Sequence, residues 1–248
     1  MGTVATKLRA LLELARASNL PTVWSNALVG TVAGMGGGIA LDATKTLRQT
    51  LPLMLSMSLL YVGGMILNDA VDAKVDAKER PSRPIPSGRI PRGAAFILAA
   101  TCLGGGLAML AGECGMRPVP VILGTALVAC ITGYNLLHSK TAASVVLMGA
   151  CRGLLILTCA EAAAPGRGFA RITLVLALAL TFYTIGLSVV ARGETQIPGT
   201  PKLIMRLIAA MCLLDGLFLW ALGQPALILF AVACWGLTTL AHRRILGS

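Results

Sequence analysis

Acidic side chains are scarce in this sequence. Of 248 residues only 10 are Asp or Glu, and charged residues of both signs together make up 12%. A soluble domain carries about twice that fraction. With 56% hydrophobic residues and a mean hydropathy of +0.81, the scarcity excludes a soluble globular protein and points to a polytopic membrane protein. Aromatic residues are few as well, at 4%, whereas glycine numbers 28. Small residues let membrane helices approach closely where no hydrophobic force drives them together, so tight helix packing is expected. The 7 cysteines, Cys102, Cys114, Cys130, Cys151, Cys159, Cys212 and Cys234, lie almost all in apolar runs without CxxC or Cys/His spacing. That excludes a zinc site and a disulfide framework and leaves small packing residues. The formal charge of +11 is scattered over short loops rather than striped with aromatics, which argues against nucleic acid as a partner.

What is abundant is apolar sequence in windows of the length a helix needs to cross a bilayer. These fall near 20–41, 50–68, 93–112, 118–137, 142–163, 171–191, 203–222 and 224–241. Only Gly223-Gln224-Pro225 separates the last two, which form either a tight hairpin or a kinked pair. The opening, with Lys7, Arg9, Glu13 and Arg16, reads as an amphipathic lead-in rather than a cleavable signal peptide, and its superficial myristoylation pattern gives a many-spanned chain nothing it needs. On alternate sides of the eight spans the Lys and Arg count is 15 against 5, with Arg152 inside a span. By the positive-inside rule both termini and the segment after the second span are expected in the cytoplasm of a bacterial-type inner membrane.

That segment is a polar island, Asn68-Asp69-Ala-Val-Asp72-Ala-Lys-Val-Asp76-Ala-Lys-Glu79-Arg80-Pro-Ser-Arg83-Pro-Ile-Pro-Ser-Gly88. Asp69, Asp72 and Asp76 are spaced i, i+3 and i+7, and Asn68 joins Asp72 at i+4, so all four stack on one helix face. Carboxylates gathered this way repel unless a cation sits among them. Hard oxygen donors suit Mg²⁺, which commonly bridges to substrate phosphates, so the segment reads as a metal-diphosphate site. Two other polar positions stand out inside apolar spans. Asn26 is a buried amide, and Arg152 must face a polar cavity, an anionic substrate or a carboxylate; Glu161 and Glu194 are its candidate partners.

The string from Asn68 to Gly88 resembles the first signature of the UbiA superfamily of intramembrane prenyltransferases, and Arg16, Asn19, Pro21 and Asn26 resemble that family's opening. The resemblance implies a single domain over 1–248: an all-α integral membrane bundle of about eight to nine transmembrane helices around a central polar cavity open to the cytoplasm. It implies Mg²⁺-dependent transfer of an isoprenyl group from an isoprenyl diphosphate donor to an aromatic or other lipophilic acceptor within the lipid bilayer. Asn68, Asp69, Asp72 and Asp76 would hold the metal, with Asn26 lining the metal-diphosphate cavity. Tyr134 and Lys140 fall where the family carries a Tyr and a downstream Lys, the latter facing the diphosphate. Arg80, Arg83 and Lys140 would offset the charge that builds on the leaving diphosphate. His138 reads as a plain interface histidine.

The family's second acidic motif should follow the sixth span, yet only Glu194 stands there, after Arg192 and with Tyr183 on the helix above. This departure implies a divergent branch of the superfamily, of the EboC-like kind, and leaves a noncatalytic carrier of a lipophilic small molecule as the alternative. A CDP-alcohol phosphotransferase is excluded, because Asp-Gly-x-x-Ala-Arg and Gly-x-x-x-Asp-x-x-x-Asp do not occur.

Overall fold

A computed structural model describes residues 2–36, 41–138, 141–192 and 200–245. Its elements are α1 (Gly2–Leu14), α2 (Leu20–Gly34), α3 (Ala43–Glu79), α4 (Arg92–Glu113), α5 (Pro118–Leu137), α6 (Ser144–Ala163), α7 (Arg171–Arg192), α8 (Thr200–Ala221) and α9 (Ile228–Ile245). Among the described residues there is no strand. Proline marks several starts, as its missing N–H allows: Pro21 in the first turn of α2 and Pro118 at the head of α5. Among the described residues seven helices, α3 to α9, are long and apolar enough to cross a membrane.

The first expected span, near 20–41, is α2, and it is shorter than the sequence suggests. Its 15 residues cover about 22 Å, less than a hydrocarbon core. It succeeds by being interior. Every residue from Pro21 to Ala33 except Trp24 is buried, and α2 packs against α3, α6, α7, α8 and α9. Gly30 and Gly34 permit the closest of these approaches. A Cβ on Gly30 would lie 2.6 Å from the Ile156 carbonyl oxygen, and one on Gly34 would overlap the Ala160 backbone. This is the close packing that the glycine content implies.

The second expected span does not stop at Asn68. α3 runs unbroken for 37 residues through Pro52 and the whole aspartate run, about 55 Å of helix, so the acidic residues ride on a rigid extension of a membrane span. The last two spans form a hairpin: α8 and α9 pack together across a short 3-10 turn at Pro225–Leu227. Outward-facing side chains are apolar, with Leu229, Ile97 and Phe182 exposed, while the interior buries Thr22, Ser25, Asn26 and Asp215. Such an inverted pattern suits a lipid solvent, and the chain is an integral membrane protein. All seven cysteines are free thiols. Burial pushes the Cys114 thiol, just beyond α4, above its ordinary range, as suits a packing residue.

Candidate active site

Asn68, Asp69, Asp72 and Asp76 share one face of α3 within an arc of about 100°. Asn68, Asp69 and Asp76 are buried. Facing them is the basic Pro-rich loop, which folds back on the helix. Arg83 reaches Asp76 at 2.7 Å and Asp69 at 3.4 Å. The return is fixed by backbone turns from Arg80 to Arg83 and from Arg83 to Ser87, by Gly88 at φ 75, and by Arg92 donating to the Ala70 carbonyl at 2.7 Å. Arg16 approaches from the other side, donating to Asn68 Oδ1 at 3.3 Å and Asp69 Oδ1 at 3.4 Å. It does so from a left-handed backbone, φ 44, between α1 and the turn at Ala17–Asn19. Strain of this kind costs on the order of 1 kcal/mol and is concentrated at functional sites.

Asp72 takes a different partner. His138 Nε2 lies 3.0 Å from its Oδ2, and the ring stacks on Tyr134 with centroids 5.4 Å apart. The expectation of an uninvolved interface histidine is therefore corrected: the end of α5 brings His138 against α3, a contact invisible in sequence because 66 residues separate the pair. Arg192 binds the carbonyls of His138 and Thr141 and the Ser144 hydroxyl, tying α7 to this end of the bundle.

Asp69, with Arg16, Arg80 and Arg83, lines a cleft of about 710 Å³ between α1, α3, the Pro-rich loop, α8 and α9. Below it, between α2, α3, α5 and α6, lies a largely apolar cavity of about 80 Å³ walled by Met57, Tyr61, Tyr134, Leu155 and Arg152. Among the described residues no three acidic, His or Cys groups come close enough together to hold a metal. The reason is physical. The aspartates extend along about 10 Å of helix; Asp69 and Asp76 share Arg83, Asp69 also meets Arg16, and Asp72 turns to His138. In kind, an all-oxygen set of three carboxylates and an amide fits Mg²⁺.

Arg152 is corrected in its partners. Glu161 accepts from the Gly166 N–H at 2.7 Å at the far end of α6, and Glu194 lies outside the described residues. Arg152 instead donates to Asn26 Oδ1 at 2.7 Å and Thr22 Oγ1 at 3.1 Å, and stands over the Tyr61 ring at 6.0 Å. Behind Asn26 is Asp215, wholly buried, which accepts from Asn26 Nδ2 at 2.6 Å and Ser25 Oγ at 2.5 Å. Sequence reasoning passed over Asp215, although a lone aspartate within an apolar span is itself a signal. Asn26, expected at the metal-diphosphate cavity, has its carbonyl oxygen and an amide hydrogen taken by Arg152 and Asp215. Tyr183 donates its hydroxyl to the Leu207 carbonyl at 2.7 Å, joining α7 to α8 rather than facing either cavity. Lys140, like Glu194, lies outside the described residues.

The fold agrees with comparisons to known proteins. The sequence profile of the UbiA prenyltransferase family matches residues 23–245, nearly the whole chain. The chain belongs to the UbiA prenyltransferase family. Among UbiA-family relatives, the digeranylgeranylglyceryl phosphate synthase of Methanopyrus kandleri is 38% identical over 103 residues, 41% of this chain and 35% of that protein. The chain thus spans about a third of the length of that relative. A solved digeranylgeranylglyceryl phosphate synthase superposes with a TM-score of 0.62 at 18% identity, covering 96% of this chain and 88% of the other. A UbiA homolog from Archaeoglobus fulgidus, bound to GPP and Mg²⁺, superposes with a TM-score of 0.57 at 14% identity over 95% and 88%. These structures share the UbiA fold with this chain.

Proposed function

We propose that the protein transfers an isoprenyl group from an isoprenyl diphosphate to a lipophilic acceptor inside the membrane. The observation that carries this reading is the carboxylate row of α3, faced by Arg16 and Arg83, above an apolar cavity in a UbiA-family chain. Asn68, Asp69, Asp72 and Asp76 are the residues that would hold Mg²⁺, which when bound offsets charge on a diphosphate. Arg16, Arg80 and Arg83 supply fixed positive charge at the cleft, worth most where water is excluded. Breaking the allylic C–O bond leaves both bonding electrons on the diphosphate and a cation on the isoprenyl carbon. The cleft stabilises the first, while the apolar walls around Met57, Tyr61 and Leu155 keep water from the second. The acceptor then bonds to that carbon and loses a proton. Lys140 at the diphosphate and Glu194 as a remnant of a second acidic site rest on the family resemblance.

The acceptor class is guided by the relatives. A digeranylgeranylglyceryl phosphate synthase makes a glyceryl phosphate bearing two geranylgeranyl groups, so geranylgeranyl diphosphate with geranylgeranylglyceryl phosphate is the first pair to assay. With purified protein in nanodiscs, diphosphate release should require both Mg²⁺ and the acceptor, and a prenylated product should form. Donor binding without release under any acceptor would favour the carrier reading instead.

A further inference from the structure

Asp215 is wholly buried on α8, 189 residues from the amide it holds. Its Oδ2 accepts from Ser25 and Asn26, and its Oδ1 is buried without a hydrogen-bond partner among the described residues. An amide has a donor end and an acceptor end. With its NH₂ given to Asp215, Asn26 must turn its carbonyl the other way, and there it accepts from Arg152 at 2.7 Å. The opposite flip would set NH₂ against a guanidinium and C=O against a carboxylate, two repulsive contacts in a low-dielectric interior. A carboxylate at 215 therefore determines which end of Asn26 Arg152 meets.

Arg152 is held against α2 by Asn26 and Thr22, and it is the one charged side chain among the residues that wall the apolar cavity. It lies eight residues into α6, about 12 Å from the helix start, well below the cleft that serves a diphosphate. A guanidinium can only donate hydrogen bonds, so its ligand must offer oxygen. An isoprenyl chain has none.

We propose that Asp215 is a positioning residue that acts through the Asn26 amide to hold Arg152 at the cavity wall, where Arg152 binds a hydroxyl or anionic oxygen of the lipophilic acceptor. The acceptor half of this inference rests on the prenyl-transfer reading; the relay from Asp215 to Arg152 does not. Two measurements separate them. In ¹⁵N-arginine-labelled protein, the Arg152 guanidinium signals are those absent from Arg152→Gln, and their hydrogens should exchange slowly. Asp215→Asn should accelerate that exchange by about tenfold or more, the loss expected for a hydrogen bond to a charged group, while other arginines keep their rates. Unchanged Arg152 exchange would overturn the relay.

In steady-state assays with geranylgeranyl diphosphate and geranylgeranylglyceryl phosphate, Asp215→Asn should raise the KM for the acceptor about tenfold and leave the donor KM in place. Added to Arg152→Gln it should cost nothing more, since residues acting as one unit are not additive. Multiplying effects would mean that Asp215 acts independently, and the proposal would fall. Should Asp215→Asn not yield folded protein, Asn26→Ala interrupts the same relay and must reproduce both changes. Absence of turnover by the unaltered protein would count against prenyl transfer alone, and the exchange rates would still decide the relay.

Discussion

The Arg83 guanidinium lies 2.7 Å from the Asp76 carboxylate, an ion pair that closes the Pro-rich loop over the aspartate face of α3. Asp76 is almost wholly buried and Arg83 only partly exposed, so the pair is shielded more than a surface salt bridge. Arg83→Gln should free the loop and weaken donor binding by about tenfold or more, the scale of one charge-assisted hydrogen bond. Limited proteolysis between residues 80 and 90 should accelerate in the same variant. A loop no more sensitive than in the unaltered protein would show that other contacts hold it.

The carboxylate row itself is tested by Asp72→Asn and Asp76→Asn. Each keeps size and one acceptor oxygen but removes the charge that attracts a divalent cation. Mg²⁺-dependent turnover should fall by about 10² or more, as for loss of a strong electrostatic contact to the reacting group. Glu79→Gln, exposed at the end of the same helix, should stay within about 0.5 kcal/mol of the parent in stability and binding. Equal behaviour of Asp76→Asn and Glu79→Gln in a donor-binding assay would remove the site.

Arg16 combines a left-handed backbone with reach to Asn68 and Asp69. Arg16→Gly should relieve strain of about 1 kcal/mol yet lose those contacts. The thermal midpoint should hold or rise while donor affinity drops. A fall in both would mean that Arg16 holds the fold more than the ligand.

Gly34 faces the Ala160 backbone with no room for a side chain. Gly34→Leu should force α2 away from α6 and destabilise the bundle by about 3 kcal/mol or more. The expected sign is a lower melting temperature and aggregation on size-exclusion chromatography, whereas Gly36→Leu, with open space around it, should be far milder apart from its positive φ.

The charge bias across the spans supports a cytoplasmic aspartate cleft. A reporter fused after Ser248 and another inserted near Ser87 should both read as cytoplasmic. A signal from the opposite side at either position would reverse the proposed orientation.

Much of this protein was legible in one dimension. Long apolar windows are local properties of the chain, so all eight bundle helices were foreseen, and the spacing of Asn68, Asp69, Asp72 and Asp76 placed them on one helix face because helical geometry depends only on nearby residues. The basic run from Arg80 to Arg83 was joined to that site by the family resemblance alone, because it lies beyond the end of α3 and reaches Asp69 and Asp76 only where the loop folds back. Other features needed the packed bundle. The sequence suggested Glu161 or Glu194 for Arg152, but Arg152 found Asn26 and Thr22, 126 and 130 residues away. His138 reached Asp72, and Asp215 became the anchor of Asn26. Spacing along a helix says which side of it a residue occupies. Which residue on another helix stands opposite depends on how deeply the helices approach, here set by Gly30 and Gly34 against α6, and on the register in which they meet. Those are properties of the folded bundle, because close packing and the demand of each buried polar group for a partner are satisfied only when all the helices are in place.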